Sequence, residues 1–270
     1  MHSCLISNLL IGENYPIRVM GIINCSPESF FRPSYAPPKN VHKMAVSLIE
    51  GGADIIDIGA RSTAPDTSVI PVNEEISRVK RSLEELKGID IPLSLDTTRP
   101  EVLRAALHYE INAINDIGGL SNPDYARMIA DSGLSPVVMA AKREPGDPKS
   151  FEEVLYALML VEERCIQYKI ESYILDPGIG RWSNERGPEL DISICTDFSV
   201  FKKYKRPLLG ALSRKSFIGD ITGRPPEGRL AGSLAFTMMI LNGGANIIRT
   251  HDVPETVDCI KVFEAAGKRK

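Results

Sequence analysis

The sequence predicts a single-domain (β/α)8 barrel, on three observations. Apolar β-type runs alternate with amphipathic helical runs from one end of the chain to the other. About eight such units fit within 270 residues, close to the roughly 250 usual for this fold. The apolar runs are almost continuous, which suits parallel strands covered on both faces rather than half-exposed ones. An open doubly wound sheet is the alternative, but no Gly-x-Gly-x-x-Gly follows the first strand.

Strands are expected over 17–23 (IRVMGII), 54–59 (DIIDIG), 91–95 (IPLSL), 112–116 (NAIND), 135–140 (SPVVMA), 172–175 (SYIL), 207–211 (PLLGA) and 246–249 (NIIR). Between the second and third strands, Val72, Ile76, Val79, Leu83 and Leu86 form one stripe at helical spacing. Glu74 and Glu75 stand early in it, Lys87 late, and Gly88 stops it. Thr98, Ser150 and Asp252 each stand three residues ahead of a glutamate, the signature of a capped helix start. Pro123 after Asn122 fits a first-turn proline. Residues 1–16 are expected to form a small cap on the barrel floor, with the barrel itself over 17–270.

Composition narrows the class. Net charge is −3, so no global basic field asks for nucleic acid and any anion site must be local. The five cysteines are scattered without a Cys-x-x-Cys pair, which reads as reduced thiols in a cytoplasmic protein. The opening MHSCLISNLLIGENYP lacks the charge and apolar run of a signal peptide. The greasiest segment, Leu230–Leu241, is too short for a bilayer, so no membrane role is expected.

In a parallel barrel the site forms where strands end and loops begin. Asn24 ends the first strand, and the second runs into Arg61, Ser62 and Thr63. Asp96, Asn115 with Asp116, and Asp176 end the third, fourth and sixth; Ser213, Arg214 and Lys215 follow the seventh; Arg249 and His251 end the eighth. Each has a plain structural alternative: Asp96 as a helix cap, Asn115 and Asp116 as an Asx turn, Arg249 as the partner of Asp252. Their coincidence on one rim favours a site. Asp96, Asn115 and Asp176 suit a flat heterocycle with several N–H groups, and Lys215 suits its carbonyl. Asn24, Arg249 and His251, on neighbouring strands, suit a phosphate group.

With these residues placed, the chain resembles the dihydropteroate synthase family from about Val19 to Val253. The resembling stretches are VMGIINCSPESF, GADIIDIGARST, PLSLDTTRPEVLRAAL, INDIGGL, ILDPGIG, LLGALSRKSFIG and ANIIRTHDV, in the family's order. The resemblance implies a homodimeric transferase that joins 6-hydroxymethyl-7,8-dihydropterin diphosphate to an arylamine and releases diphosphate. It implies that Asp96, Asn115, Asp176, Lys215 and Met139 hold the pterin. Asn24, Arg249 and His251 would hold the diphosphate, with Asn24 reaching Mg2+. Lys215, Arg249 and His251 would act in catalysis. Ser213, Thr63 and Pro65 fall where the family contacts the acceptor. An SN1-like departure fits, because the electron-rich dihydropterin delocalises the methylene cation and the amine needs no activation.

The loops depart from the family. The first reads FRPSYAPP, Ala64 stands where Arg is usual with Arg61 ahead of it, MAAKREPGDP replaces a Met-His segment, and Arg181-Trp182-Ser183 replaces Phe-Gly-Lys. These changes surround the acceptor. They suggest one larger and more anionic than p-aminobenzoate, such as a phosphorylated ribosyl-aminobenzene of the methanopterin pathway. Arg32, Arg61 and Arg181 would meet its phosphate and Trp182 would stack on its sugar or arene. The alternative is that these arginines are surface residues of rearranged loops. Rival classes are a pterin barrel serving methyl transfer to a corrinoid protein, a Schiff-base aldolase using Lys215, and a non-catalytic pterin-binding protein.

Overall fold

The computed structural model describes residues 2–27, 31–62, 69–183 and 185–267. A short antiparallel hairpin, β1 (Cys4–Ile6) and β2 (Leu9–Ile11), precedes eight parallel strands. These are β3 (Arg18–Asn24), β4 (Ile55–Gly59), β5 (Leu93–Asp96), β6 (Ala113–Asp116), β7 (Ser135–Met139), β8 (Ile174–Asp176), β9 (Leu209–Gly210) and β10 (Ile247–Thr250). Each overlaps one expected strand. They pair in the order β8-β7-β6-β5-β4-β3-β10-β9, and a parallel bridge between Leu175 and Leu208 closes the ring. The outer layer comprises α1 (Val41–Glu50), α2 (Val72–Glu85), α3 (Pro100–Ala106), α4 (Pro123–Ser132), α5 (Phe151–Gln167), α6 (Pro188–Thr196), α7 (Ser216–Thr222), α8 (Leu230–Gly243) and α9 (Val253–Ala265). No helix is long and apolar enough to cross a membrane among the described residues.

Strand alternation sorts the core into two bodies. Ile23, Ile56, Ile58, Leu95, Ile114, Val138, Leu175 and Ile248 face outward and pack under the helices. Met20, Ile55, Ala113, Val137, Ile174, Leu209 and Ile247 face inward and fill the lower barrel. Cys4, Ile6 and Ile11 of the hairpin join that inner body from below. Ser135 Oγ donates to the Leu5 carbonyl at 2.8 Å, and the Leu5 N–H donates to Ser172 Oγ at 3.3 Å, which pins the hairpin to the barrel.

Local signals at the helix starts fare unequally. Ser150 Oγ accepts from the Glu153 N–H at 3.2 Å and Asn122 Oδ1 from the Asp124 N–H at 3.0 Å, as the sequence suggests. Asp252 stands at the N-cap of α9 without capping it, because its carboxylate is taken by Arg214 at 2.7 and 2.8 Å. Thr98 does not cap α3, whose N-cap is Arg99; its hydroxyl accepts from Arg61 instead, at 3.1 Å. In both places a long-range arginine outcompetes the local cap. Glu75, expected only as a first-turn acid, is buried and accepts from Thr97 and Arg99 at 2.7 and 2.9 Å.

Candidate active site

The alternation that builds the apolar floor also builds the site. Two residues beyond the inward floor positions, the strands carry Ile22, Asp57, Asn115, Met139, Asp176, Ala211 and Arg249, and β5 adds Asp96. One step of the strand repeat thus changes an apolar layer into a polar one.

Arg249 organises this layer. Its Nε donates to Asp57 Oδ2 at 2.6 Å and its Nη2 to Asp96 Oδ2 at 2.8 Å. Asn115 Nδ2 donates to the same Asp57 oxygen at 3.0 Å. One oxygen of a fully buried carboxylate therefore holds both an arginine and an amide, while Asp57 Oδ1 is buried without a hydrogen-bond partner. Burial opposes the Arg249 charge, but Asp57 and Asp96 more than offset it and raise its pKa. Asp96 is pushed up to about 7, first by burial, with Asp57 adding and Arg249 opposing.

Asp176 stands buried at the end of β8 and does not itself line the pocket that Asp96, Lys215 and Arg249 line. Its Oδ1 accepts from the Gly178 N–H at 2.8 Å. Burial raises its pKa, and the Gly178 N–H, Lys215 and Arg249 oppose the rise. Asp176 and Arg249 thus feel each other's charge. Asp116 takes the structural alternative: its two oxygens accept from the N–H groups of Gly118 and Leu120 at 2.8 and 2.7 Å, forming a turn. Met139 is fully buried and pairs in register with Asp176.

Lys215 enters from the turn after β9. Its Nζ donates to the Ile179 carbonyl at 2.8 Å, and burial, partly offset by Asp176, pushes its pKa down to about 8. Gly180 makes room for it: at φ +136° a Cβ would lie 2.7 Å from that Nζ. Arg214 braces the turn. It adopts φ +56°, unfavourable for a residue with a side chain, and is held by Asp252 and by the carbonyls of Pro226 and Glu227 at 2.9 and 2.7 Å.

The phosphate-side candidates gather beside this layer. His251 Nδ1 lies 3.1 Å from Ser213 Oγ, and its ring packs 5.1 Å from that of Phe31. Burial first, then Arg249, Arg214 and Lys215, push its pKa down to about 3, so the imidazole is neutral at pH 7. Asn24 Nδ2 donates to Ser34 Oγ at 2.6 Å, and its amide oxygen is the kind of donor that suits a hard cation. No cluster of three His, Cys, Asp or Glu able to hold a metal occurs among the described residues. A single oxygen donor fits Mg2+, which keeps waters and takes substrate phosphate oxygens.

Of the acceptor candidates, Arg61, Trp182 and Ser213 line the pocket with Asn24, Asp96, Lys215, Arg249 and His251. Arg61 is held by Thr98 and by Glu75 at 3.4 Å. Arg181 is exposed and does not line the pocket. Thr63, Pro65 and the Arg32 side chain lie outside the described residues.

Two features escaped the sequence reading. Asp57 does not stand at a strand end, yet a charged residue two positions after Ile55 in an apolar strand is a legible sign of an inward polar layer. The Arg186–Asp191 ion pair at 2.8 Å is buried under the Asp-Pro-Gly turn, with Arg186 also donating to the Gly178 carbonyl at 2.8 Å. No local pattern announces that pair.

Residues 20–251 match the model of the pterin binding enzyme family. This chain belongs to that family. Within it the chain is a dihydropteroate synthase-like transferase. It is 35% identical over 262 residues to the dihydropteroate synthase type-3 of Escherichia coli, covering 93% of this chain and 99% of that one. It superposes with a TM-score of 0.86 and 31% identity on a dihydropteroate synthase from Coxiella burnetii in complex with pteroic acid, covering 98% of each chain. The Xanthomonas albilineans dihydropteroate synthase with 4-aminobenzoic acid gives a TM-score of 0.85 and 32% identity, again over 98% of each. The resemblance and the barrel read from the sequence are thereby borne out.

Proposed function

We propose that this pterin-binding enzyme condenses 6-hydroxymethyl-7,8-dihydropterin diphosphate with p-aminobenzoate and releases diphosphate. The observation that carries the reading is the inward polar layer: Asp96, Lys215 and Arg249 line one pocket with Asn24, Ser213 and His251, and Asn115 and Asp176 stand buried in the same layer. The relatives solved with pteroic acid and with 4-aminobenzoic acid support it.

In this reading Asp176 and Asp96 accept from the amino-pyrimidine edge of the pterin, Asn115 from a ring N–H, and Lys215 donates to the ring carbonyl. Met139 packs on the ring. Arg249, held edge-on by Asp57 and Asp96, offers a flat guanidinium face to a flat heterocycle and its charge to the leaving group. The bond between the pterin methylene and the diphosphate oxygen breaks, and its electron pair leaves on diphosphate. The methylene cation is delocalised into the dihydropterin beside Asp57, Asp96 and Asp176, giving an SN1-like course. The amine lone pair then forms the carbon–nitrogen bond, and the nitrogen loses its extra proton to solvent or diphosphate. His251 donates to the diphosphate, whose charge restores the proton that burial removes. Asn24 Oδ1 is the oxygen the chain offers to Mg2+, which would supply charge neutralisation on the diphosphate.

One observation favours a second acceptor. Arg61 lines the pocket and shares the single carboxylate of Glu75 with Arg99, at 3.4 and 2.9 Å, which leaves part of its charge for an anion. An arylamine with an added phosphate, such as a ribosyl-aminobenzene phosphate, would use it. Diphosphate release from pterin diphosphate mixed with both arylamines, with and without Mg2+, tests both readings. Release with p-aminobenzoate is expected. Pterin binding without release from any arylamine sinks the transferase reading, and a clear preference for the plain acid removes the phosphorylated acceptor.

A further inference from the structure

Trp182 is the single tryptophan of the chain, and it sits where two unusual loops meet. Its Nε1 donates to the Gly178 carbonyl at 2.9 Å, the same carbonyl that Arg186 engages. On its far side stands Gly146, in the loop after β7, at φ +73°; a Cβ there would overlap the Trp182 side chain. Lys149 and Glu185 tie the same two loops together. The side chain is therefore held at its base by Gly146 and at its N–H by Gly178, and it lines the pocket. Over one face of its ring lies the Lys215 ammonium, 4.8 Å from the ring centroid.

We propose that Trp182 is a positioning residue for Lys215, its ring holding the ammonium against the Ile179 carbonyl. The physical case is geometric. Lys215 has four rotatable bonds, and the Ile179 carbonyl alone satisfies one of its three N–H donors. A carbonyl on one side and an aromatic face on the other confine the ammonium to one spot, leaving its remaining donors for a ligand. The same contact gives the loop after β7 a hold on Lys215 through Gly146 and Trp182, although that loop supplies no residue to the pocket lining. This inference rests on the proposed role of Lys215 for its effect on catalysis, but the contact itself is measurable without any substrate.

The first test uses the substrate-free protein, in which all tryptophan emission comes from Trp182. Emission should titrate with a midpoint near 8, following the Lys215 ammonium, and the transition should vanish in Lys215→Met. The other charged groups facing Lys215 are Asp176, Asp191, Arg186 and Arg249. All four, and His251, remain in Lys215→Met, so a transition that is lost in that variant reports the lysine. Flat emission between pH 7 and 9, or an unchanged transition in Lys215→Met, overturns the proposal.

The second test reads function. Trp182→Leu should raise the KM for pterin diphosphate about five- to tenfold, and Trp182→Phe should recover most of the loss. A Trp182→Leu protein with an unchanged pterin KM, or a Phe variant as impaired as Leu, also overturns it. If no arylamine is turned over at all, the transferase reading fails, while the emission titration still decides the contact.

Discussion

The proposed pterin side and the proposed acceptor side of the mouth are built on different supports. Asp57, Asp96 and Asn115 stand on strands with ladder partners on both flanks, Asp176 and Arg249 with a partner on one, and all but Asp176 hydrogen-bond among themselves. Arg61 and Trp182 stand on the loops after β4 and β8, and Ser213 on the turn after β9. The strand-borne stretches are also those that carry the family resemblance, and the loops are where the chain departs from it. A barrel interior has one packing solution, and changing an inward residue disturbs its neighbours on adjoining strands. A loop can be rewritten while the strands beneath it keep their register. The donor grip and the acceptor choice are therefore separable in this fold.

The sharpest way to break that comparison is Asp176→Asn. The amide turns a donor towards ligand donors, and turnover should fall by about 10³-fold or more. A loss below tenfold would mean that the strand-borne layer is not the donor site.

Asp57→Asn should cost less, about ten- to a hundredfold in kcat/KM for the donor, because it acts through Arg249 and Asn115. Its pH signature is distinctive. Asp96 must be ionised to accept, so kcat/KM should fall as pH drops below about 7. Lys215 must be protonated to donate, so the rate should fall again as pH rises above about 8. Removing the Asp57 charge eases ionisation of Asp96, so the acid limb should move to lower pH; an unmoved limb would detach Asp57 from the network.

Arg61→Met tests the other side. It should raise the acceptor KM about tenfold and leave the donor KM within about twofold. Equal effects on both substrates would erase the distinction between the two halves. The smallest effect lies outside the mouth: Ser150→Ala removes the cap of α5 and should lower unfolding stability by about 1 kcal/mol in urea titration, with kinetics unchanged.

Much of this arrangement was legible in the sequence. Continuous apolar runs mark strands covered on both faces, so all eight barrel strands could be placed. Strand-end polar residues could be collected because the fold dictates which end carries chemistry. Asp57 lies inside its strand, so the rule that places chemistry at strand ends does not reach it, whereas the two-residue repeat followed inward does. The Thr98 and Asp252 caps were misjudged because Arg61 and Arg214, each more than thirty residues away, take their oxygens. Arg186 with Asp191 and the seat of Trp182 against Gly146 depend on contacts between segments whose local patterns carry no sign of one another.

The apolar layer beneath the site, stoppered from below by Cys4, Ile6 and Ile11, makes the cavity a cul-de-sac. Arg61 and Trp182 line the same pocket as Asp96, so a ligand that reaches Asp96 would pass them on entering and on leaving. If the proposed pterin takes the deeper end, it should enter first and the arylamine second. A joined product blocks the corridor until it has gone, so it should compete with the donor for the empty protein.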